Sequence, residues 1–361
     1  MRKIALVIGL EYSGNYKLNG CYNDALNIIS TIKDLYRFEN NEILFINDKN
    51  GKSGSKKYIE HALNYVVDGN YDFVFFYYAG HGSTMNDYDG DEKKLNSNFI
   101  LDNNSLGKDS YLCSSEANGS IGVVKDDTIK QILSKLKSHN TFLGLIDCCH
   151  SGTMFDCDYI YFPNKINGEK CKSNKMKYLF DNYHQEFDLL ESSYENLSNR
   201  DIKGNVLLIS AARDNQYSYE SVQAGKNQGN FTYNACRLMK KCKYQDISIK
   251  QFVLTVCGML DDKKQLTVCS SSYYYDLDHS YIYDKSHYTP YFLRNKEQLN
   301  HVDYQEPIKE VKKSKFNTWE EFFNNIFRDK MKNDRSVSRK HTYLPYIVVT
   351  GLAYRYYQKN N

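Results

Sequence analysis

No charge of one sign prevails in this chain: 47 lysines and arginines stand against 44 aspartates and glutamates, a net +3 over 361 residues. That balance gives no broad field toward nucleic acid or a membrane surface, and neither is expected as a partner. No CxxC pair occurs among the ten cysteines, which removes a zinc knuckle and a thioredoxin-type motif. Thiols scattered in this way are expected to be free and buried, in a reducing compartment. No apolar run is long enough to span a bilayer; the stretch 343–354 is too short. There is no internal repeat. Cys-x5-Arg, which a cysteine phosphatase needs, is missing, since position 155 is Phe.

What is present is a soluble globular composition, 41% hydrophobic and 25% charged. The first residues, MRKIALVIGL, have the basic start and apolar run of a short signal peptide. Glu11 and Tyr12 follow where a small-residue cleavage site would be needed, so the run reads as a buried first strand. A cytosolic or nucleo-cytosolic monomer is expected.

Strand and helix signals alternate through the first 150 residues. Apolar runs at 4–9, 42–46, 72–79 and 141–148 read as strands, and the patterns at 23–35, 58–66 and 126–136 read as helices. Apolar strands alternating with helices predict an α/β fold whose parallel sheet is covered on both faces. A strand returns at 206–210, followed by helical patterns at 231–239 and 247–260. Residues 157–203 are polar and weakly periodic and read as a long loop. In open parallel sheets, sites lie beyond the carboxyl ends of the strands. His81 and Cys149 each fall just past such an end.

A cysteine protease needs a thiolate, an imidazole to take and return its proton, and donors for the oxyanion. YYAGHGS (77–83) and LIDCCHSG (145–152) offer these parts. Gly80 and Gly82 would let the backbone turn sharply beside His81, and backbone N–H groups at Gly82 and Cys149 would serve the oxyanion. Side chains alternate along a strand, so only one of Cys148 and Cys149 can face the cleft. His150 has poor geometry for its neighbour's thiol.

DCCHSG and YYAGHG resemble the nucleophile and histidine motifs of the metacaspases. NGCYNDA (19–25), LLISAARDNQYSYE (207–220) and GNFTY (229–233) resemble further segments of that family, over about residues 2–284. The resemblance chooses Cys149 over Cys148 and implies a caspase-like α/β/α sandwich with a mostly parallel sheet of about six strands. It implies a large-subunit-like region at 1–156, a linker at 157–203 and a small-subunit-like region at 204–284. An extension of unassigned role follows at 285–361, and no N-terminal prodomain is expected. The implied activity is a cysteine endopeptidase cutting protein or peptide substrates after Arg or Lys. Asp24 and Asp147 match the acids of the pocket for that side chain, Cys21 another wall, and Ala79 stands where many relatives have Ser. Two carboxylates in a desolvated pocket favour a cation. Asp24 could instead be only a helix N-cap, and Asp126 and Asp127 only the acidic first turn of a helix.

The same resemblance implies Ca²⁺ at Asp126, Asp127 and Asp156; the family's fourth acid would fall near Ser97, so here it is missing or supplied by a neighbour. The run NDYDGDE (86–92) is not an EF-hand, because its Gly falls at the wrong loop position. Lys165, Lys170, Lys172, Lys175 and Lys177 are candidate self-cleavage points. The alternative from another class is a caspase-like scaffold or decoy without activity.

Overall fold

A strand covered on both faces needs an almost wholly apolar sequence, and three such runs set the centre of the sheet. In chain order the first elements are β1 (Lys3–Gly9), α1 (Cys21–Leu35), β2 (Ile43–Asn47), α2 (Lys56–Asp68) and β3 (Phe73–Ala79). Then come β4 (Gly82–Asn86), β5 (Lys108–Ser115), β6 (Ile121–Lys125), α3 (Asp126–Leu133) and β7 (Thr141–Asp147). After these follow β8 (Tyr159–Pro163), β9 (Phe187–Glu191), β10 (Asn205–Ser210), β11 (Glu220–Gln223) and β12 (Lys226–Gly229). The last are α4 (Asn230–Cys242), α5 (Ile249–Met259), β13 (Val268–Ser271), β14 (Tyr281–Asp284) and β15 (Thr289–Tyr291). The computed structural model describes residues 1–49, 54–86, 108–152, 154–163, 187–191, 202–213, 216–260 and 265–294.

The main sheet runs β2-β1-β3-β7-β10-β13-β8-β9. Its first five strands are mutually parallel and its last three pair antiparallel. Eight strands stand where about six were expected. The stretch at 157–203 is not simply a loop: it supplies β8 and β9. Tyr159, Ile160 and Tyr161 are buried there, and pairing with β13 occupies hydrogen-bonding groups that would otherwise form an open edge.

Alternation along the strands sends Ala5, Val7, Phe73, Phe75 and Tyr77 into one core with α1, α4 and α5. Right-handed crossovers place α1 and α2 on opposite faces, because the chain steps one way from β1 to β2 and the other way from β2 to β3. Phe76, Phe142 and Phe155 pack ring to ring, and their side chains belong to no part of the first core. Among the described residues no helix is long and apolar enough to cross a membrane.

Candidate active site

The central strands end level with one another: Gly9 pairs with Ala79, and Ala79 with Asp147. The strand order reverses between β1 and β3, which opens a crevice beyond their carboxyl ends. His81 lies two residues past β3 and Cys149 two residues past β7, so equal steps carry both off adjacent strands toward that crevice.

Three strand ends hold the histidine. The Asp48 carboxylate, just past β2, accepts the N–H groups of Glu11 and Tyr12 at 2.8 and 2.6 Å. Tyr12 takes a left-handed backbone (φ 56°), its ring lies 4.8 Å from that of His81, and its hydroxyl accepts the His81 N–H at 2.9 Å. Nε2 of His81 sits 2.8 Å from the carbonyl oxygen of Tyr16. A carbonyl only accepts, so Nε2 carries a proton and Nδ1 is the ring nitrogen that this carbonyl does not engage. The chain bends at Gly80 as expected, though neither Gly80 nor Gly82 takes a left-handed backbone. Their small size serves close packing: a β-carbon at Gly80 would meet the hydroxyls of Tyr12 and Tyr78 at 2.6 Å, and one at Gly82 the sulfur of Cys148 at 2.6 Å.

On the other side, Cys148 is 1% exposed and Cys149 partly open. Sγ of Cys149 accepts the main-chain N–H of Ser218 at 3.4 Å. Burial pushes its thiol up; the Ser218 N–H pulls it down and the Asp147 carboxylate pushes it further up. The resting sulfur therefore holds its proton and needs a base to remove it. His150 turns aside, with a left-handed backbone and its ring edge-on to Tyr217.

Asp24 and Asp147 meet across Gly229, where a β-carbon would overlap Asp147 Oδ2 and lie 3.1 Å from Asp24 Oδ2. Asp24 is 2% exposed and does not cap its own helix, whose N-cap is Gly20. One of its oxygens accepts the Gly229 N–H at 2.8 Å; the other is buried with no partner among the described residues. Asp147 is satisfied on both oxygens, by Ser218 Oγ at 2.5 Å and by the N–H and Oγ1 of Thr232 at 3.1 and 2.6 Å. Burial, and then the Asp147 charge, push the Asp24 carboxyl well up, and burial raises Asp147 as well. A cation placed beside the pair would favour its ionised form. Cys21 opens α1 beside it, its thiol pushed well up by burial and by both carboxylates. Ala79 is buried at the end of β3.

Asp126, Asp127 and Asp156 come together, each offering a carboxylate oxygen within 4.8 Å of the others. Burial and the facing Asp156 push Asp126 up to about 8. Asp126 and Asp127 also form the acidic first turn of α3. Ser97, which stands where the family's fourth acid would fall, lies outside the described residues. Asp109, 1% exposed, stands near instead: one of its oxygens pairs with Lys125 at 2.5 Å, and the other has no partner among the described residues. Lys125 also lies 3.8 Å from Asp127. Residues 87–92 of the acidic run and all five linker lysines lie outside the described residues.

Sequence reasoning assigned no role to Tyr12, Tyr16, Ser218, Glu220, Gly229, Thr232 or Asp109. The Glu220 carboxylate accepts the N–H groups of Gly20 and Asn19 at 2.9 and 3.3 Å, capping α1 from a distance. That contact ties the β11–β12 hairpin to the helix and brings Gly229 between the two acids. Ser218 and Glu220 belong to the segment 207–220, and Gly229 and Thr232 to 229–233, so the signal for these four was in view.

The caspase domain family model matches residues 2–277. Metacaspase-1 of Eremothecium gossypii is 30% identical over 302 residues, covering 74% of this chain and 63% of that protein. Metacaspase-3 of Arabidopsis thaliana is 29% identical over 254 residues, covering 66% of this chain and 60% of that protein. Metacaspase-1 of Saccharomyces cerevisiae is 27% identical over 313 residues, covering 78% and 69%. The chain thus spans somewhat under two thirds of the first two relatives. A match over most of its length, joined to the mostly parallel sheet between helices, makes this chain a metacaspase-like member of the caspase domain family.

Proposed function

We propose that this chain is a cysteine endopeptidase that cuts after Arg or Lys, with Cys149 as nucleophile and His81 as general base. The observation that carries the reading is the pairing of two level strand ends. One bears a histidine whose Nε2 is committed to the Tyr16 carbonyl, and the other bears a partly open thiol beside a buried pair of carboxylates.

In the proposed mechanism, Nδ1 of His81 takes the Cys149 proton as the sulfur attacks the carbonyl carbon of the scissile bond. The N–H groups of Cys149 and Gly82 hold the negative oxygen. Collapse breaks the C–N bond, His81 returns the proton to the leaving amine, and water then hydrolyses the thioester with His81 as base. The substrate cation enters beside Asp24, whose open oxygen offers an acceptor. Asp147 adds charge but few free lone pairs. A buried carboxylate pair repels a substrate aspartate by several kcal/mol.

Asp126, Asp127 and Asp156 suit calcium in donor chemistry, being hard oxygen ligands gathered in one place. A bound Ca²⁺ would supply charge that relieves the Asp126–Asp156 repulsion. Lys125 is a cation already reaching into that neighbourhood, so binding is expected to be weak. Self-cleavage at the linker lysines follows from the proposed specificity.

The test is titration with iodoacetamide in the presence and absence of a basic peptidyl inhibitor. Protection of Cys149 by an Arg-containing inhibitor, and not by its Asp counterpart, is expected. Equal labelling under all conditions would instead favour a scaffold without activity.

A further inference from the structure

One residue touches both halves of the site. Ser218 directs its main-chain N–H at Cys149 Sγ (3.4 Å), and its hydroxyl donates to Asp147 Oδ1 (2.5 Å). The same hydroxyl accepts Nε2–H of Gln265 at 3.0 Å. A hydroxyl has one proton to give, so these two partners fix its orientation. Gln265 is buried. A second tie binds the same two segments, since Gln216 Oε1 accepts the N–H of Leu266 at 2.9 Å. The segment after β10 is thus fastened to the one before β13 at two points, on either side of the atom facing the sulfur.

We propose that Ser218 is a positioning residue for the nucleophile: its hydroxyl, held between Asp147 and Gln265, keeps its main-chain N–H aimed at the Cys149 sulfur. The inference rests on the peptidase reading for its catalytic consequence, though not for its effect on the thiol. An N–H donor favours thiolate over thiol, so loss of aim leaves the sulfur protonated to higher pH. Asp147 then has two tasks, one in the pocket and one in orienting Ser218. Gln265, remote in sequence from every motif, becomes part of the machinery.

The other titratable groups facing the sulfur are Asp147 on its own strand and Cys113 on β5, with His81 at the end of the neighbouring strand. Ser218→Ala also removes a donor to Asp147, whereas Gln265→Leu leaves that bond in place, so the second variant reads the aim of the N–H separately from the charge of Asp147.

The experiment uses the full chain. The pH dependence of Cys149 alkylation by iodoacetamide is followed by mass spectrometry in wild type, Ser218→Ala, Ser218→Thr and Gln265→Leu. The midpoint is expected to rise by about one pH unit in Ser218→Ala and Gln265→Leu, a tenfold loss of thiolate below it. Ser218→Thr, which keeps the hydroxyl, should restore the wild-type midpoint. With an Arg-containing peptide, kcat should fall in the first two variants and KM stay within about twofold, the pattern of an interaction acting on the reacting atom. Thermal unfolding checks that each variant is folded; Ser218, partly exposed, tolerates alanine. A wild-type midpoint and kcat in Ser218→Ala would overturn the inference, as would a threonine variant no better than alanine. If wild type cleaves no basic peptide yet the midpoints shift as stated, the peptidase reading fails and the role of Ser218 stands.

Discussion

Replacing Asp24 by Asn should separate binding of the substrate cation from the chemistry. The amide oxygen of Asn can still accept the Gly229 N–H, so the local backbone keeps its contact. What changes is the open oxygen, which becomes an N–H₂ group facing a positive side chain. Leaving one member of a buried charge pair unmatched costs about 3–5 kcal/mol. Asp147 remains, but its oxygens already accept three donors, so it offsets only part of the loss. The low end, about 3 kcal/mol, corresponds to roughly a 150-fold fall in kcat/KM for an Arg substrate. The fall should appear in KM, since Asp24 holds the cation alike in ground and transition states. A pH signature accompanies it. The Asp24 carboxyl is raised well above its ordinary value, so wild type binds the cation better as pH rises and the pair ionises; the Asn variant should lose Asp24's part of that dependence and keep the part due to Asp147. Steady-state kinetics on a fluorogenic Arg peptide from pH 6 to 9 provide the assay. A change in kcat/KM below threefold, or one confined to kcat, would refute the pocket assignment.

Cys149→Ala should abolish peptide hydrolysis and Cys148→Ala should keep most of it, each costing about 1 kcal/mol of stability by thermal unfolding; the reverse pattern would mean the neighbouring thiol is the nucleophile. Gly229→Ala should block basic substrates, because its β-carbon would overlap Asp147 Oδ2 and crowd Asp24; wild-type KM in that variant would show that the hairpin does not shape the pocket. Calcium should stabilise the chain more at pH 8 than at pH 6. Asp126 titrates near 8 in the fold against 3.8 in a free carboxyl, so the folded state binds the extra proton and loses stability as pH rises between those values. Calcium binds the ionised form, and its affinity should climb by up to about tenfold per pH unit in that window. A calcium-dependent shift in unfolding temperature that shrinks with pH, or none at all, would remove the metal from the account.

The sheet centre was legible because burial on both faces leaves continuous apolar runs, and β1, β3, β7 and β10 all lie close to where those runs predicted. The three-stranded sheet β4-β5-β6 was not read, since Lys108–Ser115 and Ile121–Lys125 carry mixed residues whose pairing depends on partners distant in sequence. β8 was missed for a related reason: its few apolar residues sit in a polar surrounding, and only the free edge of β13 gives them a place. In the candidate site, His81, Cys149, Asp24 and Asp147 stood out as residue types in recognisable motifs. Tyr16 could not, because it acts through a carbonyl oxygen that every residue possesses. Gln265 could not either, being brought to Ser218 by tertiary contact alone. The glycines beside His81 were noticed for conformational freedom, whereas the fold uses them for lack of bulk.

Cleavage of a peptide library with every residue type before the scissile bond, read by mass spectrometry for wild type and Cys149→Ala with calcium and with chelator, tests the central claim most directly. Cuts after Arg and Lys by wild type, and none by Cys149→Ala, are the predicted result. Efficient cutting after Asp, or cutting that survives Cys149→Ala, would contradict it.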